Sequence, residues 1–145
     1  MVQPKEIVVD TSVLFAAAYK QTSTTKKLLE LIKSSLKIKL YSPDFVKAEF
    51  KEKLLEKLGL LEEEADILIE ELPIVWIEKH KYEELLEEAK RFIKDEEDSP
   101  ILACSLYLNK LPIWTFDEKH FNVPEIKELG IEIYDNADIA ALLVD

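Results

Sequence analysis

Apolar runs that stop on a polar residue alternate along the chain with stretches in which apolar residues return every three or four positions. The first pattern reads as buried strand and the second as helix. Ile7-Val8-Val9-Asp10 is the first such run and ends on a carboxylate, with a short helix over 12–19 expected after it. Thr22-Ser23-Thr24-Thr25 offers a cap for a helix on which Leu28, Leu29, Leu31 and Ile32 share a face. Residues 36–41 alternate apolar with Lys and predict a second strand. Ser42 before Pro43 predicts a capped start with proline at the first helical position, for a helix over 43–58 that Gly59 ends. A short acidic helix over 62–72, a strand over 74–77 and a helix over 82–93 follow. Asp95-Glu96-Glu97-Asp98-Ser99-Pro100 starts a helix carrying 101–108, and 111–116 is a strand. A helical turn or two falls within 118–130, then a short strand over 131–134 and a closing helix over 136–144. Strands alternating with helices predict a parallel sheet covered on both faces. No repeat, low-complexity tract or linker interrupts the pattern, so residues 1–145 are expected to form a single domain.

At 145 residues and 48% hydrophobic content, the chain can bury one sizeable core. The single Cys104 lies within Ile101-Leu102-Ala103-Cys104, which excludes an internal disulfide and predicts a buried, reduced thiol and a cytoplasmic protein. Met1-Val2-Gln3-Pro4-Lys5 carries no apolar segment of signal-peptide type, and no run approaches the roughly 18 apolar residues of a membrane span, so no membrane partner is expected. The net charge of −11 argues against gripping nucleic acid by bulk charge. Its distribution is uneven: residues 20–60 carry ten Lys against five acids, and residues 61–99 fifteen acids against five Lys or Arg. Both blocks also suit the solvated sides of amphipathic helices.

Position filters the 30 acids. In an open α/β sheet, ligands bind beyond the carboxyl ends of the strands. Asp10 follows the first strand and Asp117 follows Pro112-Ile113-Trp114-Thr115-Phe116, so both belong to that edge. Asp98 begins the helix that leads into the latter strand. Glu49 lies roughly 60° round the helix from Val46, on the flank of the apolar stripe Val46, Phe50, Leu54 and Leu58. Each has an ordinary alternative: Asp10, Asp98 and Asp117 suit helix caps, and Glu49 a solvated helix position.

Four carboxylates at one edge repel one another unless a cation joins them. Oxygen donors, with only two His and no Cys among the candidates, indicate Mg²⁺ or Mn²⁺ rather than Zn²⁺. Such an ion suits phosphodiester hydrolysis by a metal-activated water. Asp10 with Asp98 or Asp117 would hold it, and Glu49 would act through water. Thr11, Ser12 and Thr115 are placed to hydrogen-bond the carboxylates from outside, or to serve strand-end and cap roles.

This set resembles the PIN domain family, metal-dependent ribonucleases that include the VapC-type toxins of toxin–antitoxin pairs. Val8-Val9-Asp10-Thr11-Ser12-Val13-Leu14 is similar to its first motif, and Ser42-Pro43-Asp44-Phe45-Val46-Lys47-Ala48-Glu49-Phe50 to its second. Asp98-Ser99-Pro100-Ile101-Leu102-Ala103-Cys104 resembles the third, and Trp114-Thr115-Phe116-Asp117 with Phe121 the fourth. The order and separation of the motifs carry the likeness, over nearly the whole chain. It implies a Rossmann-like three-layer α/β/α sandwich with a central parallel sheet of about five strands. It also implies cleavage of single-stranded RNA with Mg²⁺ or Mn²⁺ at Asp10, Glu49, Asp98 and Asp117, frequent homodimers, and an antitoxin protein as partner. Two features depart from the pattern: the strong negative charge, and Asp95-Glu96-Glu97 beside Asp98, which makes Asp95 an alternative third acid.

Other readings fare worse. A haloacid dehalogenase wants a second Asp where Ser12 stands, and a receiver domain wants a paired acid after its first strand. Two Gly in the chain leave no Gly-rich phosphate loop. The remaining alternative is a catalytically weak PIN-like module that binds RNA or protein.

Overall fold

Ile7, Val8 and Val9 are fully buried, which is what a continuous β-branched run requires and what only a strand covered on both faces provides. They end β1 (Lys5–Val9) in a computed structural model that describes residues 3–20 and 22–144. Met1 and Val2, part of the segment read above for targeting, lie outside the described residues. Among those described, no helix is long and apolar enough to cross a membrane.

The chain continues through α1 (Thr11–Tyr19), α2 (Thr24–Lys33), β2 (Ile38–Pro43), α3 (Asp44–Lys57), α4 (Glu62–Glu70) and β3 (Ile74–Ile77). Then come α5 (Lys79–Tyr82), α6 (Leu86–Lys90), α7 (Ser99–Tyr107), β4 (Ile113–Trp114), α8 (Glu118–Phe121), α9 (Pro124–Glu128), β5 (Ile133–Tyr134) and α10 (Asn136–Val144). All strand pairs are parallel, in the order β3-β2-β1-β4-β5. This is the three-layer α/β/α sandwich with five parallel strands that the sequence led us to expect.

The order matters for function. From β1 the chain builds outward through β2 and β3, then returns to place β4 on the other side of β1. The strand order therefore reverses between β1 and β4, and a crevice opens beyond their carboxyl ends. Val9 pairs with Trp114, and the Asp10 N–H donates to the Trp114 carbonyl at 3.0 Å, so Asp10 and Thr115 leave the sheet side by side.

Helix α7 is buried from Ser99 through Ser105 and packs on β1 and β2, with α5 and α6 against it. A helix apolar on all sides has to be central. Cys104 lies in it as a buried free thiol, which burial pushes up to about 12. On α1 pack α2 and α3; α4 packs on α3 and α10 on α2. Trp114, the largest fully buried side chain, donates its indole N–H to Asn136 Oδ1 at 3.1 Å, and Asn136 Nδ2 donates to Thr25 Oγ1 at 3.0 Å. Those two bonds satisfy the indole and tie α10 to α2.

Two expectations are corrected. Ser42 does not cap α3: its hydroxyl is buried and donates to the Val9 carbonyl at 2.7 Å, while Pro43 still pairs with Ile77 in the sheet. The helix therefore starts one residue later, at Asp44. The stretch expected as one helix over 82–93 is broken: Tyr82 closes α5, Glu83–Leu85 form a 3₁₀ turn, and α6 ends at Lys90. Asp44 explains the break at its start. Its carboxylate accepts the Lys79 N–H at 2.9 Å and the Tyr82 hydroxyl at 2.7 Å, pinning α5 to α3, whereas Ala89 must turn to pack against α7.

Candidate active site

Asp10, Asp98 and Asp117 stand at the positions that precede α1, α7 and α8, yet none of the three carboxylates makes a capping hydrogen bond to its helix. The capping role is not what holds them there.

Asp10 is 5% exposed, and its Oδ2 accepts the Thr115 hydroxyl at 2.7 Å and the Ser12 hydroxyl at 2.9 Å. Backbone donors aim both hydroxyls. Asp117 N–H donates to Thr115 Oγ1 at 2.9 Å and Phe116 N–H to Ser12 Oγ at 3.1 Å. A hydroxyl has one proton, so each one that accepts from the backbone turns its own proton on Asp10. Burial nevertheless pushes the Asp10 carboxyl above its ordinary range. The Thr115 and Ser12 hydroxyls and the Thr11 backbone oppose that shift, and the Asp117 charge adds to it. Thr11 contributes only through its backbone: its Oγ1 is buried and makes no hydrogen bond among the described residues.

Asp98 closes a 3₁₀ turn over Glu96–Asp98 and is 9% exposed. Burial first, then the charges of Asp10 and Asp117, push its carboxyl up to about 7, with His120 pulling the other way. Thr115, bonded to both the Asp10 carboxylate and the Asp117 N–H, and the His120 ring between Asp98 and Asp117 bring the three acids to one edge, where like charges raise one another's pKa.

His120, not singled out from the sequence, completes it. Its Nδ1 lies 2.7 Å from Asp98 Oδ2 and 2.8 Å from Asp117 Oδ2. One N–H cannot point at two carboxylates at once, and neither Nδ1 nor Asp98 Oδ2 has a well-directed hydrogen bond. Burial lowers the His120 pKa, but Asp117 and Asp98 outweigh it, so the imidazole holds its proton more firmly than usual. The signal was present in the chain: Asp117 and His120 are three residues apart at a helix start and so share a face.

Asp95 accepts the Glu97 N–H at 3.0 Å and caps the turn that delivers Asp98. One ligand atom each from Asp95, Asp98 and His120 lie within 4.8 Å of one another. Both acids of the ambiguous run thus face the site, with Asp98 the more buried. Glu49 stands apart. It is half-buried on α3, makes no hydrogen bond or ion pair among the described residues, and is not one of the charges named above that shift Asp10 and Asp98.

The donors fit a divalent cation. They supply hard carboxylate oxygens, one of them buried without a directed bond, and negative charge that a lone imidazolium cannot balance.

Comparison with known proteins gives a consistent picture. A family model described as "PIN domain" matches residues 8–133. The chain is 27% identical over 133 residues, 92% of its own length and 90% of the other's, to "Ribonuclease VapC1" of Methanocaldococcus jannaschii. Among solved structures it is similar in fold to a chain of VapBC2 from Rickettsia felis bound to a promoter DNA fragment, with a TM-score of 0.62 and 16% identity over 90% of this chain and 98% of that one. A chain of VapBC-1 from nontypeable Haemophilus influenzae gives a TM-score of 0.59 at 17% identity over 91% and 98%. A chain of FitAcB from Neisseria gonorrhoeae gives 0.57 at 14% identity over 90% and 98%.

Proposed function

The chain belongs to the PIN domain family, and we propose that it is a metal-dependent endoribonuclease, acting on single-stranded RNA as the toxin of a toxin–antitoxin pair in the cytoplasm. The observation that carries this reading is the cluster of Asp10, Asp98 and Asp117 at the reversal of strand order, with two hydroxyls trained on Asp10. A scaffold gains nothing from burying mutually repelling acids. The name of the Methanocaldococcus relative supports the substrate, and the titles of the structural neighbours support a protein partner. Tyr19 on α1, Leu31 on α2 and Leu36 just after it are exposed apolar side chains, which suits an antitoxin or a second copy in a homodimer.

Asp10, Asp98 and Asp117 would hold Mg²⁺ or Mn²⁺, with Asp95 and His120 at the rim. When bound, the ion would acidify a water and neutralise charge on the phosphodiester. The rest falls to the protein. Ser12 and Thr115 keep Asp10 in one rotamer, and before the ion binds His120 holds its Nδ1 between Asp98 and Asp117. Glu49 would act through a water. The test is cleavage of a labelled single-stranded RNA with Mn²⁺, with Mg²⁺ and with chelator; a metal response in stability without cleavage of any RNA would favour the weak binding module instead.

Two variants grade the roles. Thr115→Val removes one hydroxyl from Asp10 at nearly constant shape and is expected to cost roughly 10–100-fold in metal affinity or activity. A metal titration followed by cleavage rate checks it, and wild-type behaviour would remove Thr115 from the site. Glu49→Gln should reduce the rate by roughly 10–100-fold, short of an Asp10 variant, as suits a residue acting on the ion through water. Equal losses in the two would place Glu49 among the direct ligands.

A further inference from the structure

RNA must approach this chain against a net charge of −11, so a local patch of opposite sign is needed to bring phosphates to a cluster of acids. The structure contains one where it would be useful. A cavity of about 400 Å³ is lined by Arg91, Lys94 and Lys119, with His120 as the wall it shares with the acidic cluster. That volume lies within the roughly 300–1,000 Å³ of small-ligand clefts. Arg91 is the chain's one arginine, and a guanidinium fork matches phosphate oxygens in a way an ammonium does not. None of Arg91, Lys94 and Lys119 makes an ion pair or side-chain hydrogen bond among the described residues, whereas Lys51 and Lys90 elsewhere are paired with acids. Phe92 and Val123 give the cavity an apolar wall, and Glu125 is its one acid.

We propose that this cavity is a nucleotide subsite that holds the RNA residue next to the scissile bond, its phosphate on Arg91, Lys94 and Lys119 and its base against Phe92 and Val123. The proposal rests on the ribonuclease reading above. It explains how an acidic protein addresses a polyanion, because cations from two separate segments, Arg91 with Lys94 and Lys119, meet one imidazole away from the carboxylates. Aromatic and apolar walls accept any base face, so the subsite confers affinity rather than strict sequence choice.

The test is the KM for cleavage of a labelled single-stranded RNA in Mn²⁺, measured at several salt concentrations. Arg91→Ala should raise KM about tenfold and lower the salt slope by about 0.7, the value for one phosphate contact on a single strand. Lys119→Ala should act in the same sense, and Arg91→Lys should recover part of the loss. Lys57→Ala is the control for charge alone: α3 starts at the site's edge of the sheet, and its 14 residues carry Lys57 to the far end, about 20 Å away. If Arg91→Ala and Lys119→Ala match Lys57→Ala while the wild type cleaves, the subsite is overturned and the ribonuclease reading stands. A fall in rate with no rise in KM overturns it too, since Arg91 would then act through His120. If the wild type cleaves no RNA with either metal, both readings fall.

Discussion

Asp10→Asn is expected to lower RNA cleavage by about a thousandfold or more while raising the melting temperature of the metal-free protein. The two effects have one cause. Asn keeps an oxygen that can accept the Ser12 and Thr115 hydroxyls, so the fold has little reason to move. What it lacks is the charge. A buried carboxylate whose pKa is pushed up is one whose ionised form the fold disfavours, and removing it relieves the repulsion that Asp117 and Asp98 also feel. In a chain of this size about 1 kcal/mol corresponds to about 2–4 °C, so a rise of a few degrees is the expected scale. The same charge is what a divalent ion needs, and several kcal/mol of transition-state stabilisation depend on that ion, which is the source of the thousandfold. Cleavage assays beside thermal melts in chelator decide the matter. An active Asn variant, or one that melts well below the wild type, would show that Asp10 serves the fold rather than the chemistry.

The second large effect is a pH-dependent stability that metal reverses. Asp98 titrates at 3.8 when unperturbed and at about 7 in the fold, so between those values the folded chain holds a proton that the unfolded chain has lost. Stability therefore falls as pH rises through this window and is lowest above it, by at most about 4 kcal/mol from Asp98. Asp10 is shifted in the same direction and adds to the slope. His120 has the same sign for a different reason. Its pKa is raised, so its contribution is present below 6.5 and is lost as pH climbs through the folded value. The melting temperature in chelator should thus decline from pH 5 to pH 8, and Asp98→Asn should flatten the decline.

Mn²⁺ at a hundred times its dissociation constant should return about 5–10 °C at pH 8. It should return less at pH 5, where a proton occupies Asp98. A Mn²⁺ response of equal size at both pH values would mean the ion binds elsewhere.

Which parts of this were legible before folding is a matter of range. The alternation of apolar runs with helical periods located all five strands, and a carboxylate straight after an apolar run marked Asp10 and Asp117. These are local signals: a strand buried on both faces must be apolar along its length, and the residue that leaves it must tolerate water. Ser12 and Thr115 were likewise readable from their places at strand ends. Ser42 misled, because a hydroxyl before proline looks like a cap in sequence, and only the neighbouring β1 offers it the Val9 carbonyl instead.

By itself, then, the sequence determined the fold class, the edge of the sheet at which the acids gather, and the acids that reach it from strand ends. The tertiary structure alone decided the rest. Placing β4 beside β1 put Thr115 on Asp10; the turn before α7 pressed Asp98 against its like charges; α8 set His120 between two acids. It also gathered Arg91 and Lys94 from the most acidic block of the chain with Lys119, while the Lys-rich residues 20–60 do not line that cavity. Periodicity records which face of an element is buried. Which elements become neighbours is settled by packing between residues a hundred positions apart, and the pKa shifts and charge pairings of a site exist only once those neighbours meet.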